Sequence, residues 1–356
     1  MTSFTTNIYT KTDKSEKYKE GFRLIHESFP SSNLIEDFNY TPSDLSVVYS
    51  WINSSDFTRK PGEDTNENWK LKSQIITSQL KENRNVLAVD SNVFSYQNKS
   101  NLSYLRYSLN GIYADTGYYF DLNVDPKRWK RISQEFDVYL KPWRKNKGHN
   151  ILVCLPRSYG FTYTEDKRLE EWVVEVIEKI SSFTDRNIVL RPHPGDRKMK
   201  VILQRLIYII RNGKNKKPIY NTRVNGKKFK TLLELVRNHP GVSKNAILLS
   251  SGKNIVNDLS KAWCTVCYGG TVPCISVIEG VPTFLLDTNP KKSLAYDVIN
   301  TDLQMIEKPP LQVDRQAWIE RVCMSHFSFD DIRDGMLYQK VNEFFENRDI
   351  IESKKL

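Results

Sequence analysis

The feature that most constrains this chain is a repeat of short, almost continuously apolar runs separated by longer amphipathic ones. In the second half the apolar runs are "ILVCLP" (151–156), "NIVLRP" (187–192), "NAILLSS" (245–251), "CTVCYGG" (264–270) and "VPTFLLD" (281–287). Runs this short, without polar alternation, describe strands buried on both faces, and such strands belong to parallel sheets covered by helices. Between them lie "TEDKRLEEWVVEVIEKISSF" (164–183), residues 197–212, "TLLELVRNHPG" (231–241), "NIVNDLSKAW" (254–263) and "TVPCISVIEG" (271–280), all read as helical. The first has Thr164 as N-cap and acids in its first turn. The alternation predicts a doubly wound α/β domain.

The first half repeats the theme. "FTTNIYT", "DLSVVYSW" (44–51) and "NVLAVDSN" (85–92) read as strands, with helices over 14–29 and 68–83. Residues 97–147, rich in Tyr, Asn and Arg, read as loops and short helices. The polar, basic stretch "KPWRKNKGHN" (141–150) marks a boundary. The expected organisation is therefore α/β throughout. Two Rossmann-like domains are expected, over 1–147 and 148–330, with a terminal helix over 331–356 expected to pack back on the first. Two doubly wound domains facing each other place a cleft at the carboxyl ends of their strands, where α/β sheets bind ligands.

A chain of 356 residues exceeds one small core. No run approaches the roughly 18 apolar residues of a membrane span, and the first residues carry no apolar signal region. The default compartment is then the cytoplasm. The five cysteines fit it. Cys264 and Cys267 form a CxxC, but residues three apart on a strand point to opposite faces and do not readily share one ion. Small buried hydrophobes are the alternative to a zinc or redox pair.

The net charge of +11 is concentrated. From Arg197 to Lys230 the chain carries twelve cations and no acid, and 127–147 is a second basic stretch holding Trp129 and Trp143. Such stretches attract polyanions or serve as solvated faces.

Chemistry collects where strands end. Gly269 and Gly270 close one strand just before a helix starting at Thr271. Two glycines let a bound group approach the backbone, and unpaired amides at a helix start suit a diphosphate; an ordinary tight turn is the alternative. Pro273 fits the first helical turn. "LPRSYGF" brings Arg157, "RPHPGD" brings Arg191 and His193, and "SSGKN" brings Ser251 and Lys253. A parallel sheet gathers these ends along one edge. His193, between two prolines, is either a phosphate contact or a rigid turn residue bonded to backbone.

"VLRPHPGD" followed by "DLSKAWCTVCYGGTVPCISVIEGVPTFLLD" and "DRQAWIERVCMSHFSFDDIRDGMLY" resembles the C-terminal half of GT-B glycosyltransferases, notably capsule-polysaccharide-type and related phage-encoded transferases. The resemblance covers roughly 150–335. It implies a GT-B fold and a hexosyl- or pentosyltransferase using a nucleotide sugar, a UDP-sugar in the first instance, without a required metal. It implies that Arg191 and His193 contact the donor phosphates, that Gly270 and Thr271 cradle the diphosphate, and that Glu279 reaches the ribose. "YGG" departs from the commoner Ser- or Asn-containing turn. Cations near a leaving diphosphate stabilise its developing charge.

An inverting transfer also needs a base near the acceptor hydroxyl. Asp90, ending a buried strand, and Asp115 in "NGIYADTGYYF" are the candidates, each alternatively a cap or turn former; a retaining enzyme needs neither. The basic stretches 127–147 and 197–230, with their tryptophans, favour DNA as partner and a hydroxymethylated pyrimidine as acceptor. A capsule or cell-surface polysaccharide and a non-catalytic nucleic-acid-binding role stand as alternatives.

Overall fold

The computed structural model describes residues 4–12, 18–51, 67–97, 103–144, 148–156, 169–194, 247–250, 254–286, 291 and 293–353. The expected helices over 197–212 and 231–241 lie outside them. The chain divides into two compact units, Met1–Val138 with Asp314–Leu356, and Tyr139–Val313.

The strands are β1 (Thr6–Tyr9), β2 (Ser32–Ile35), β3 (Leu45–Tyr49), β4 (Asn85–Ser91), β5 (Tyr104–Leu109), β6 (Asn150–Cys154), β7 (Ile188–Arg191), β8 (Ile247–Leu249), β9 (Ala262–Cys267), β10 (Thr283–Leu285) and β11 (His326–Ser328). The helices are α1 (Lys19–Ser28), α2 (Glu67–Lys81), α3 (Pro126–Phe136), α4 (Leu169–Ser181), α5 (Ile255–Leu259), α6 (Val272–Ile278), α7 (Arg315–Cys323), α8 (Phe329–Arg333), α9 (Met336–Glu346) and α10 (Arg348–Ser353).

The second unit is the one the sequence describes most fully. Its sheet has the order β10-β9-β6-β7-β8, and every pair is parallel. The chain starts at the centre, runs outward through β7 and β8, then returns to the other side of β6 for β9 and β10. This is the doubly wound order, with its switch point between β6 and β9. Helix α4 buries Trp172, Val173 and Ile177 in one apolar cluster with Ile151, Val153, Leu190 and Val266. Cys264 belongs to that cluster. Cys267, three residues on, pairs in register with Cys154 instead, and this contact together with burial raises its thiol pKa well above the usual range.

The first unit holds a six-stranded sheet, β11-β5-β4-β3-β1-β2. β1 to β4 are mutually parallel in the order 2-1-3-4. β5 is antiparallel to β4, and β11 to β5. β5 occupies the stretch expected to be loop. All six of its residues are buried, but Arg106 and Ser108 interrupt the apolar run. Arg106 is tolerated because its register partner on β4 is Asp90, and their side chains pair at 2.6 Å.

Both chain crossings come earlier than expected. Segment 139–144 already belongs to the second unit: Lys141 N–H donates to Ile278 O and Arg144 N–H to Gly280 O, each at 2.9 Å. The chain rejoins the first unit at Asp314. There α7 packs on α3 and β11 extends the sheet. The terminal helices complete this core, with Leu337, Val341 and Phe344 clustering among Phe22, Val47 and Leu87. His326 is fully buried on β11. Val93 N–H donates to its Nε2 at 3.3 Å, while its Nδ1 faces Val322 O at 2.9 Å. Burial, reinforced by Arg106 and Arg128, drives its pKa down to about 3, so the imidazole is neutral.

Candidate functional site

In the second unit the parallel register brings the strand ends to one edge. Cys154, the last residue of β6, lies opposite Arg191 of β7 and Cys267 of β9. Leu155 N–H continues the ladder to Arg191 O at 2.9 Å, and Ser250 N–H bonds Leu190 O at 2.9 Å. The expected gathering of strand ends is therefore present. Arg157, Ser251 and Lys253 lie outside the described residues.

At the switch point β9 leads through Tyr268 into Gly269, Gly270 and Thr271. Gly270 has φ +79°, and a Cβ built there would meet no atom of the described residues within 4 Å. Glycine is required by the backbone angle and not by crowding. Both glycines and Thr271 are half-buried. Thr271 stands at the N-cap of α6 with helical angles, φ −87° and ψ −16°, and its hydroxyl makes no cap bond. The turn thus offers main-chain amides and a hydroxyl beside open space, the elements a phosphate needs. α6 itself spans only seven residues, so the turn and not a long helix dipole dominates.

Beyond β7, which is separated from β9 by β6, Pro192 is buried and His193 exposed. Arg191 sits differently from expectation. It is 6% exposed and ion-paired to Asp258 of α5. Its Nη1 also donates to Ser250 Oγ at 3.3 Å, and Ser250 Oγ donates to Asp258 Oδ2 at 2.5 Å. Asp258 balances the charge expected to face a donor phosphate. Sequence gave no signal for this triad, since Asp258 lies 67 positions from Arg191.

Glu279 differs in the same way. It is 0% exposed, and its Oε2 lies 2.5 Å from Lys141 Nζ and 3.7 Å from Arg144 Nη2. A ribose contact would require this carboxylate to leave two cations.

In the first unit, Asp90 lies at the carboxyl end of β4. Its Oδ2 accepts from Arg106 and its Oδ1 from Ser91 N–H at 2.7 Å. Both oxygens are engaged. Asp115 lies in the turn where Thr116 and Gly117 N–H groups bond Tyr113 O. Its Oδ1 is 3.5 Å from Thr116 Oγ1.

The described part of the basic stretch 127–147 is divided, with Lys127, Lys130 and Arg131 exposed and other side chains turned inward. Arg128 is buried, with its guanidinium over the Phe327 ring at 4.5 Å and bonded to His326 O. Arg131 pairs with Asp331 at 2.7 Å. Trp129 is 8% exposed and packs on Phe94. The Trp143 indole donates to Gln312 O at 2.9 Å. The Trp129 ring is packed away from solvent and is not presented for base stacking. The stretch 197–230 lies outside the described residues. Among the described residues, no group of three or more His, Cys, Asp or Glu is placed to hold a metal, and no helix is long and apolar enough to cross a membrane.

No protein-family model matches the chain, and no curated protein matches it in sequence. Among solved structures, the chain is similar to Thermosulfurimonas dismutans KpsC, beta Kdo 2,7 transferase. The TM-score is 0.46 and the identity 13%, over 94% of this chain and 99% of that one. It is also similar to Thermosulfurimonas dismutans KpsC, beta Kdo 2,4 transferase, with TM-score 0.45 and 10% identity over 91% of each chain.

Proposed function

We propose that this protein is a nucleotide-sugar-dependent glycosyltransferase of GT-B type whose second unit holds the donor. The observation that carries this reading is the switch point between β6 and β9. A glycine-glycine-threonine turn there exposes amides and a hydroxyl to open space at the end of a fully parallel sheet. In this reading Gly269, Gly270 and Thr271 cradle the diphosphate and His193 approaches it from the end of β7, on the far side of β6. Arg157, Ser251 and Lys253 extend the site by their positions in the chain. Arg191, balanced by Asp258, holds Ser250 and the β8 end in place. The reaction breaks the bond between the sugar's anomeric carbon and the donor phosphate while the acceptor hydroxyl attacks. The diphosphate leaves with its charge met by amide dipoles and His193. A uridine diphosphate sugar is the first donor to try.

The acceptor is a hydroxyl on a polyanion. A hydroxymethylated pyrimidine in DNA now rests on the stretch 197–230 and on the exposed Lys127, Lys130 and Arg131, because Trp129 and Arg128 are packed inside the first unit. That burial favours a second reading, an anionic surface polysaccharide, which needs no exposed stacking aromatics. As base for an inverting transfer, Asp115 is tested first, with Asp90 as the other candidate.

The test incubates the protein with a panel of UDP- and CMP-activated sugars, using hydroxymethylcytosine DNA in one arm and anionic capsular oligosaccharides in the other. Products are read by mass spectrometry. A sugar-sized mass increase in either arm supports the reading. Absence of transfer and of donor hydrolysis with every donor refutes it, and DNA binding without any nucleotide effect would mark a binding module.

A further inference from the structure

The element Glu279-Gly280-Val281-Pro282 follows directly from the helix that starts at the candidate donor turn, and its surroundings assign it a task other than ligand contact. We propose that Glu279 is a positioning residue: with Lys141 and Arg144 it clamps segment 139–144 onto the carboxyl end of α6, and so fixes the helix that begins at the Gly269–Thr271 turn. Only the identity of what that turn binds rests on the glycosyltransferase reading.

Several independent contacts meet here. Glu279 is 0% exposed, and Lys141 Nζ lies 2.5 Å from its Oε2. The Lys141 and Arg144 amides bond Ile278 O and Gly280 O on either side of it, each at 2.9 Å. Arg144 reaches further, its Nη1 donating to Leu259 O at the end of α5 at 2.7 Å. Gly280 has φ +74°, and a Cβ there would stand 2.2 Å from Pro142 O and 3.1 Å from Lys141 O. The glycine that follows Glu279 therefore exists to let the 139–144 backbone come close. A buried carboxylate is tolerated only while paired, so Glu279 is held to its two cations. α6 is bound at both ends of one rigid piece: the clamp at Glu279 and the glycine turn at Thr271.

Glu279→Gln, Lys141→Met and the double variant of the full chain separate this from ribose contact. Melting temperature and UDP affinity by calorimetry are both read. Acting through the clamp, each single variant lowers the melting temperature by about 5 °C. Each weakens UDP binding by the same modest factor, below about fivefold. The double variant does little more than either single one. Lys141→Arg, which keeps the pairing, retains wild-type behaviour. Glu279→Gln raising the UDP dissociation constant by about tenfold or more, with melting unchanged and Lys141→Met silent, would overturn the proposal. If UDP and CMP leave the wild type untouched, the glycosyltransferase reading fails. The melting coupling still decides the clamp, with non-additive losses supporting it and additive or absent losses refuting it.

Discussion

Gly270 and Gly280 bracket the same short helix with nearly the same backbone angle, φ +79° and +74°, in opposite surroundings. An alanine at either position incurs left-handed strain of about 1–2 kcal/mol. At Gly270 nothing further is lost, because the new methyl meets no atom of the described residues within 4 Å. At Gly280 the methyl would stand 2.2 Å from Pro142 O, about 1 Å inside a normal carbon–oxygen approach. Relieving it moves the 139–144 backbone, adding about 1–3 kcal/mol of overpacking. It also endangers the Arg144 N–H to Gly280 O bond, worth about 1 kcal/mol. Gly280→Ala is thus destabilising by about 3–6 kcal/mol and lowers the melting temperature by about 10 °C or more, against about 4 °C for Gly270→Ala. Binding reverses the order. Gly270→Ala places its methyl where the diphosphate is proposed to lie and abolishes the upward melting shift given by UDP, while Gly280→Ala keeps most of that shift. The assay is thermal unfolding by circular dichroism with and without saturating UDP. Equal destabilisation of the two variants, or an undiminished UDP shift in Gly270→Ala, refutes the reasoning.

Asp258→Asn leaves the buried Arg191 without its counterion and lowers stability by about 3 kcal/mol, read from the urea midpoint; an unchanged midpoint contradicts the triad. Asp90→Asn does the same to Arg106, with a similar loss of about 3 kcal/mol. Asp115→Asn stays within about 0.5 kcal/mol of wild type and instead abolishes transfer by an inverting enzyme; full transfer by folded Asp115→Asn would dismiss it as the base. His326 has a folded pKa near 3, below the unfolded value of about 6.5. Below that value the unfolded chain binds the extra proton, so stability falls as pH drops from about 6.5 toward 3, by up to about 1.4 kcal/mol per unit. His326→Gln flattens this acid limb in denaturation followed against pH, and an unaltered slope contradicts the assignment.

The second unit was legible because its strands are buried on both faces and so are apolar at nearly every position. β7, β8 and β10 fall within runs read as strands, and β6 and β9 overlap theirs, β9 starting at Ala262 in residues read as helix. β5 escaped notice because Arg106 and Ser108 sit inside a fully buried strand, and the acceptance of Arg106 depends on Asp90, 16 residues away. β11 escaped because three residues between two helices carry no period. Local chain geometry at the site was legible in the same sense: the glycine pair announces a turn, and Gly270 takes the left-handed angle. What sequence does not carry is the destination of a charged side chain. Arg191, Glu279 and Asp90 looked like groups offered to a ligand, yet Asp258, Lys141 and Arg106 meet them, from 67, 138 and 16 positions away. Likewise Trp129 and Trp143 read as stacking rings among cations, and the fold uses both for packing and hydrogen bonding.

The most direct test of the central claim is a crystal structure of the protein with bound UDP. The account predicts the diphosphate at the β6–β9 switch point, within hydrogen-bond reach of the Gly270 and Thr271 amides, with His193 alongside and Glu279 still paired to Lys141. A diphosphate bound elsewhere, or a Glu279 carboxylate turned onto the ribose, would contradict it.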